Sequence, residues 1–368
     1  MKIPYVNLKA FGEEEWDELQ PLLKKIIISG KFIQGEEVGV FEKEIAEFCG
    51  TKHAIAVNSG TDALILSMRS LGIGPGHEVI TCPNSFIASA SSIFHVGAEP
   101  VFVDVLEDQN MNPDLIEKAI TNKTKAILPV HLTGRVCQMD KIMAIAHKYK
   151  LHVIEDAAQS IGSMYENKKS GSFGNFGCFS THPLKNLNAF GDGGFITSDD
   201  EERVNRIKRL RNHGLKDRIT ADEWGYVSRM DTIQACILLY HLKKLPLITK
   251  QRRSNADLYR SILSDISDIF IAPCKSQEFN TFHTFVIQVE ERDKLQAYLL
   301  GEGIKTTIHY PIPIHLQLAS KNLPYKKGDF PVTETQSKRI LTLPVNQFLG
   351  ENEISYICDK ISEFYKRR

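Results

Sequence analysis

The feature that most constrains the fold of this chain is the alternation of short apolar runs with segments of helical periodicity. The runs lie at 54–57, 78–82, 101–105, 126–130 and 151–156. Helical spacing predicts helices between them, from Thr61 and at Ala88–His95, Pro113–Ile120 and Met139–Tyr149. Strand–helix–strand units at this spacing predict crossover connections and a parallel-rich α/β sheet. Because the runs are apolar throughout, we expect helices on both faces of that sheet.

The sequence from residue 177 onward predicts further strands and helices of the same α/β sheet. Two further strands are predicted at 177–180 and 193–198, on either side of a loop. A charged helix follows at about Asp200–His213, and another begins near Asp231–Lys244 and runs on through Gln251–Leu263. These elements reach the end of the larger of two predicted domains, whose boundary is expected near residues 245–265.

From about residue 265 the pattern changes. Short strands within 281–289 and a helix at 293–301 precede a Pro-rich loop at 309–315. This pattern predicts a smaller α+β domain, and we divide the chain into a large domain at 1–250 and a small C-terminal domain at 251–368. The length of 368 residues agrees with two domains at roughly 150 residues each.

Composition excludes several classes of protein. The 45 basic and 45 acidic residues cancel, which argues against nucleic-acid binding. No apolar run approaches the roughly 20 residues of a membrane span, and the N-terminus has no signal-peptide core. The cysteines are seven, an odd number, and none forms a C-x-x-C pair, so reduced thiols in the cytoplasm are expected.

The first candidate site is Ser59-Gly60-Thr61, which follows a strand and opens a helix. The N–H groups and dipole of a helix N-terminus suit a phosphate, and the two hydroxyl groups add donors. A plain helix cap is the alternative, because Ser and Thr favour that position for the same reason.

The second candidate is Asp156, at the end of the strand LHVIED. Ligands of open α/β sheets bind beyond the carboxyl ends of strands. A partly desolvated carboxylate there needs a partner, and the protonated ring nitrogen of a cofactor would serve. Capping of the next helix is the alternative. Gln159 lies within reach of the same ligand.

The third candidate is Lys185, in the Gly-rich loop between the strands at 177–180 and 193–198. A lysine near an apolar or cationic group loses its proton more easily and can form a Schiff base. A surface lysine is the alternative for this residue by itself. Together, a phosphate cradle, a strand-end Asp and a loop Lys are what a pyridoxal phosphate (PLP) site requires.

The sequence resembles the DegT/DnrJ/EryC1/StrS family of sugar aminotransferases over nearly its whole length. Matching motifs run in order from the N-terminus to the Pro-rich loop: IPYVNL (3–8), SGKFIQGEEVGVFEKEIAEFCGTKHAIAVNSGTDAL (29–64), EVITCPNSFIASA (78–90), VIEDAAQSIGS (153–163), FSTHPLKNLNAFGDGGFI (179–196), GYVSRMDTIQA (225–235) and GIKTTIHYPIPIHLQ (303–317). The resemblance implies the fold-type-I PLP transferase architecture, with a mostly parallel seven-stranded sheet in the large domain.

The resemblance also implies a role for each matched residue. Lys185 is expected to hold PLP covalently and to shuttle protons, Asp156 to pair with the pyridine nitrogen, and Gln159 to lie by the phenolic oxygen. Phe86 falls where the family places an aromatic ring over the cofactor, with a core position as the alternative. The phosphate is expected on four residues: Ser59, Gly60, Thr61 and Ser180.

One position departs from the family pattern. Val227 stands where the family commonly has Asn, in a region that belongs to the neighbouring subunit's active site. Ser228 or Arg229 is expected to supply the phosphate contact instead, with a buried helix entry and a surface Arg as the alternative.

The two histidines of HYPIPIH fall in a loop that the family places near the substrate. His309 is expected to contact the sugar nucleotide, and His315 is the second candidate, with loop packing as the alternative. Their six-residue spacing, without a Cys or acidic cluster, is not that of a metal site, and no metal is expected.

The resemblance implies PLP-dependent transamination of a nucleotide-linked keto-sugar, with L-glutamate as donor, in amino-sugar and surface polysaccharide (lipopolysaccharide, O-antigen) biosynthesis. A dTDP- or UDP-linked 3-keto sugar is the expected substrate, and C-4 amination is the alternative. A PLP-dependent sugar dehydratase and a non-catalytic regulator stay open as well, although Lys185 argues against both. A homodimer with shared active sites is also implied.

Overall fold

The computed structural model describes residues 1–366. Its strands, in chain order, are β1 (His53–Val57), β2 (Glu78–Thr81), β3 (Glu99–Phe102), β4 (Thr124–Ile127), β5 (His152–Asp156), β6 (Met164–Tyr165), β7 (Lys168–Lys169), β8 (Phe176–Ser180), β9 (Gly194–Ser198), β10 (Ile269–Phe270), β11 (Glu278–Phe279), β12 (Phe285–Val289) and β13 (Ile340–Leu343). Its α-helices are α1 (Lys9–Ser29), α2 (Glu36–Cys49), α3 (Gly60–Ser70), α4 (Ala88–His95), α5 (Ile116–Ala119), α6 (Met139–Tyr149), α7 (Glu201–Leu210), α8 (Thr232–Leu263), α9 (Arg292–Gly301), α10 (Pro331–Arg339) and α11 (Glu351–Lys366).

The large sheet has the order β1-β9-β8-β5-β4-β2-β3 within the described residues. All neighbouring strands are parallel except β9, which is antiparallel to both β1 and β8. Its strands are buried on both faces, as their continuous apolar runs predict. The predicted α/β fold class and its mostly parallel seven-stranded sheet are confirmed.

The carboxyl ends of the parallel strands meet at one edge of the sheet, where β5 ends at Asp156 and β8 ends at Ser180. Residues 181–193 connect β8 to the antiparallel β9. This connection therefore stays at the edge where ligands of open α/β sheets bind, and it carries Lys185.

A second sheet, β10-β12-β13, forms the core of the C-terminal part with α9 and α11. Ile3 belongs to the same apolar core, because the N-terminal segment pairs with Ile304 and exchanges backbone hydrogen bonds with Gly303 and Lys305. The division proposed at residues 250 and 251 falls inside α8, the helix that connects the two parts.

Helices α1 and α2 were not among the predicted elements. The buried residues of α2 include Val38, Phe41, Ile45 and Cys49, at helical spacing, so the signal for this helix was present in the sequence. Among all helices of the described part, none combines the length and apolar character that crossing a membrane requires.

Candidate active site

A cavity of about 430 Å³ lies at the carboxyl edge of the large sheet and is closed from the other side by residues of the C-terminal part. It is lined by these predicted site residues: Ser59, Gly60, Thr61, Phe86, Asp156, Gln159, Ser180, Lys185 and His309. Positions far apart in sequence therefore meet in one place.

The N-terminus of α3 forms one wall of the cavity. Ser59 is the N-cap residue, and its hydroxyl accepts a hydrogen bond of 3.1 Å from the backbone N–H of Asp62. The capping alternative thus holds for Ser59, but its hydroxyl proton and the free N–H groups of the first turn still serve an anion.

Close backbone packing holds this wall in place. A Cβ on Gly60 would lie 2.8 Å from the Cβ of Ser180, and a Cβ on Gly194 would lie 2.5 Å from the carbonyl carbon of Ser59. Only glycine fits at either position, because the helix start packs directly on β8 and β9. The three elements thus form one rigid cradle.

Asp156 is buried at the end of β5. Its Oδ2 accepts a hydrogen bond of 2.7 Å from the Ser89 hydroxyl, and its Oδ1 accepts one of 3.2 Å from the N–H of Ala158. Two donors on one carboxylate fix its orientation. Asp156 thus presents an oriented carboxylate to the cavity, and Ser89 is a site residue that sequence reasoning missed.

Lys185 points into the same cavity from the loop between β8 and β9. The loop is held at its base by hydrogen bonds from the N–H of Ala189 to Thr181 and from the side-chain amide of Asn186 to the carbonyl of Thr281. Burial lowers the pKa of Lys185 to about 8, although Asp156 opposes the change. The surface alternative is therefore excluded.

Gln159 links the sheet to the Pro-rich loop. Its Oε1 accepts a hydrogen bond of 2.8 Å from the N–H of Thr133, and its amide nitrogen donates one of 3.2 Å to the Tyr310 hydroxyl. Burial raises the pKa of Tyr310, so that the phenol stays protonated. Phe86 faces the ring of Tyr310 at 5.9 Å and is 56% exposed, so its core alternative is excluded.

His309 is held by a contact of 3.1 Å between its Nδ1 and the Thr342 hydroxyl. Burial and then the charge of Lys185 lower its pKa to about 4, so the imidazole is neutral. His283 and Arg252 line the same wall, and sequence reasoning named neither.

One predicted substrate contact, His315, lies outside the cavity lining. It is buried, with Nε2 at 3.1 Å from Glu334 and its ring edge-on to Phe330, so loop packing explains it. Arg229, which is expected to serve the neighbouring subunit's site, donates to Asn212 at 3.0 Å within this chain, and its phosphate contact stays a prediction. Ser228 lies nearer the cradle, because its hydroxyl accepts from the N–H of Asn58.

The residues present fit PLP. Lys185, which forms no ion pair within residues 1–366, lines the same cavity as the oriented Asp156 carboxylate. The N-terminus of α3, closely packed at Gly60, offers donors for a phosphate. Residues 1–366 contain no cluster of three or more His, Cys, Asp or Glu side chains that would hold a metal ion.

Comparison with known proteins agrees with this geometry. The UDP-N-acetyl-3-dehydro-α-D-glucosamine 3-aminotransferase of Acidithiobacillus ferrooxidans is 41% identical over 98% of this chain and 97% of that protein. A protein of Geobacillus stearothermophilus named pleiotropic regulatory protein is 40% identical over 100% of this chain and 99% of its own length.

Solved structures share the fold of this chain over nearly its whole length. Streptomyces venezuelae DesV in complex with a ketimine intermediate superposes with a TM-score of 0.96 at 37% identity, covering 99% of this chain and 98% of that one. Bacillus subtilis NtdA with bound PMP, the amine form of PLP, superposes with a TM-score of 0.93 at 30% identity. The match covers 99% of this chain and 85% of NtdA.

These similarities confirm three expectations from the sequence: the fold type, PLP as the cofactor type, and the class of sugar aminotransferases. The family profile described as the DegT/DnrJ/EryC1/StrS aminotransferase family matches residues 13–362. The chain therefore belongs to the DegT/DnrJ/EryC1/StrS aminotransferase family.

Proposed function

We propose that this chain transfers the amino group of L-glutamate to the C-3 ketone of a dTDP- or UDP-linked 3-keto sugar. The observation that carries the proposal is the convergence of Lys185, Asp156 and the α3 N-terminus on one cavity. The C-3 position is supported by the name of the A. ferrooxidans relative, which specifies a UDP-linked 3-dehydro sugar.

Lys185 is the proposed nucleophile and proton carrier. Because its pKa is lowered to about 8, a sizeable fraction of the amine is neutral near neutral pH and can hold the cofactor covalently. The same amine, at the cavity where the substrate carbon would lie, would take up a proton from that carbon and return one. General acid–base help of this kind is worth roughly 10²–10⁴-fold in rate.

The other residues hold and polarise the cofactor. Bound PLP supplies an electron sink for the charge that develops at the substrate carbon. Asp156, fixed by Ser89 and Ala158, would keep the ring nitrogen protonated. Phe86 would cover one face of the ring, Gln159 would donate to the ring hydroxyl, and the cradle at Ser59–Thr61 with Ser180 would bind the phosphate.

The two substrates would use the cavity in turn. Because one lysine and one phosphate cradle serve the whole cavity, donor and keto-sugar would occupy it one after the other, which predicts ping-pong kinetics. His309, neutral and half-buried in the cavity wall, is the proposed contact to the sugar nucleotide, because a neutral imidazole can donate to a sugar hydroxyl or accept from one.

We further propose a homodimer with shared active sites, working in the cytoplasm. Exposed apolar side chains on α1 and beside the cavity, among them Trp16, Ile28 and Phe190, support a covering partner. All seven cysteines are free, and six are buried, which is in keeping with a reducing compartment.

A regulatory role is the second candidate, and the name of the G. stearothermophilus relative favours it. A protein that only binds would not need a loop lysine with a depressed pKa opposite a fixed carboxylate, so the enzyme is the stronger proposal. C-4 amination is the alternative position on the sugar.

One experiment tests the function. The purified protein with PLP should be yellow, should bleach with L-glutamate, and should regain its colour with the correct keto-sugar nucleotide from a panel of 3-keto and 4-keto dTDP and UDP sugars. Lys185→Ala should fold but hold no cofactor that borohydride fixes covalently. A protein that takes up no PLP, or that stays yellow with every amino acid, would favour the regulatory role.

A further inference from the structure

Arg252, on α8, is a buried cation in the wall of the cavity. Its side chain is 6% exposed and lines the cavity. One terminal nitrogen donates to the carbonyl oxygens of Phe282 and His283, at 3.1 and 3.2 Å. These bonds fix the plane of the guanidinium and use only one of its three nitrogens.

Among the described residues, no hydrogen bond joins the other two guanidinium nitrogens to a protein group. The Nε of Arg252 is buried without a hydrogen bond, and no carboxylate within residues 1–366 forms an ion pair with it. Burial lowers its pKa to about 10. Burying a charge without a counter-charge is unfavourable, so a group left in this state at a cavity wall is suited to an anionic ligand.

Tyr5 supplies a second donor beside Arg252. It lines the same cavity, and burial raises its pKa while the charge of Arg252 opposes the change. Tyr5 is held by its neighbour Asn346, whose amide donates to the Tyr5 carbonyl at 3.2 Å. A planar guanidinium next to a phenol matches a carboxylate, which can accept two hydrogen bonds from the first and one from the second.

The position of Arg252 favours a carboxylate close to the reacting amine. His283 bonds to Arg252 through its carbonyl, and its imidazole feels the positive charges of both Lys185 and Arg252. An amino acid carries a carboxylate on the same carbon as its amine. In a sugar nucleotide without a uronic acid group, the nearest anion is the diphosphate, which two ring bonds and the glycosidic oxygen separate from C-3.

We propose that Arg252, assisted by the Tyr5 hydroxyl, binds the carboxylate on the amine-bearing carbon of the amino donor. This inference rests on the proposed aminotransferase function and names the residue that selects its donor. The keto-sugar has no carboxylate at the reacting carbon to pair with the same guanidinium. The half-reaction with the amino donor should therefore depend on Arg252 far more than the half-reaction with the keto-sugar.

The test compares the PLP-loaded enzyme with Arg252→Gln, Arg252→Lys and Arg253→Gln. Arg253 is the matched control: it is the next residue on α8, stacks on Phe279 and lies outside the cavity lining. The concentration of L-glutamate that half-bleaches the enzyme should rise at least tenfold in Arg252→Gln, less in Arg252→Lys, and stay within twofold in Arg253→Gln. The KM of the keto-sugar should change less than threefold.

Calorimetry adds a readout besides turnover. Glutarate, which has the carboxylates but no amine, should bind to the unaltered enzyme and at least tenfold more weakly to Arg252→Gln. If Arg252→Gln does not fold, the inference is tested on the unaltered enzyme with two amino donors. The concentration of L-glutamate that half-bleaches this enzyme should be at least tenfold lower than the concentration of the α-amide of glutamate that does so. Tyr5→Phe should weaken donor binding about threefold.

Three outcomes would overturn the inference. Unchanged glutamate and glutarate binding in Arg252→Gln would make the residue structural. A raised KM for the sugar nucleotide alone would assign Arg252 to the diphosphate. Equal potency of glutamate and its α-amide would exclude recognition of that carboxylate. All three leave bleaching by an amino donor intact, whereas a failure of the proposed function would abolish bleaching in the unaltered enzyme as well.

Discussion

At the scale of single residues, the chemistry of the site depends on how the fold sets the proton affinity of one side chain and the orientation of another. Burial lowers the pKa of Lys185, and two donors hold the Asp156 carboxylate in place. The sequence identifies both residues by type and position. The lowered pKa of Lys185 follows from its burial in the folded chain. The hydrogen bond from Ser89 to Asp156 joins residues that are 67 positions apart, so the spacing of residues in the sequence does not reveal it.

Cofactor uptake should depend on pH through Lys185. Only the neutral amine attacks an aldehyde, and its pKa is about 8 instead of the usual 10.5. The rate of covalent incorporation into cofactor-free protein should therefore rise about tenfold per pH unit below 8 and level off above it. Stopped-flow absorbance measures this rate. A rise that continues to pH 10 would show that the amine is not desolvated.

Removing the Ser89 hydroxyl should weaken the hold on Asp156. Ser89→Ala breaks a hydrogen bond to a charged group, a loss of about 1.5–3 kcal/mol, so kcat should fall about tenfold or more while the protein stays folded. Ser91→Ala, two positions along on α4, should leave kcat within twofold. Equal kcat values in the two variants would remove Ser89 from the site.

At the scale of elements, the cradle depends on three backbones in direct contact. The start of α3 packs on β8 and β9 at Gly60 and Gly194, where no side chain fits. The sequence shows glycines in both places, and their local pattern predicts only a turn or a cap. Their function in the cradle comes from the order β1-β9-β8, which places an antiparallel strand next to β1.

Gly194→Ala should therefore damage both stability and cofactor binding. The added Cβ would lie 2.5 Å from the carbonyl carbon of Ser59, and overpacking of this kind typically costs 1–3 kcal/mol or more. Thermal unfolding should show a lowered Tm and a smaller rise in Tm on adding PLP.

Gly39→Ala is the control, because a Cβ at this position of α2 meets open space. It should keep or raise the Tm, since Ala is favoured over Gly in a helix by roughly 0.5–1 kcal/mol. If Gly194→Ala were as stable as this control and bound PLP equally well, the close packing of the cradle would not matter.

At the scale of the whole molecule, α1 links the outer surface to the site. Glu15 on α1 lies 2.9 Å from buried His241, whose ring contacts Phe190 of the loop that carries Lys185. Ile27 and Ile28 are 60% and 75% exposed at the end of the same helix. A second copy that covers α1 would thus lie close to the catalytic loop.

The double variant Ile27→Asp, Ile28→Asp should therefore yield monomers with reduced activity and an unchanged circular dichroism spectrum. Two charges in an apolar interface are left unpaired when the copies associate. Light scattering after gel filtration measures the mass. Leu300→Asp, on α9 of the C-terminal part, should leave the mass unchanged. A dimer that persists with two aspartates on α1 would place the interface elsewhere.

The sequence by itself determined the α/β layer, most of its strands, and the positions of the three groups predicted to bind the cofactor, because strand ends and helix starts are local patterns. Only the tertiary structure decided which histidine faces the cavity, since His309 and His315 share one loop and differ in what packs against them. The same holds for Ser89, Arg252 and Tyr5, which line the cavity as well. Their positions there arise from contacts between distant segments and from burial, and these are properties of the packed chain.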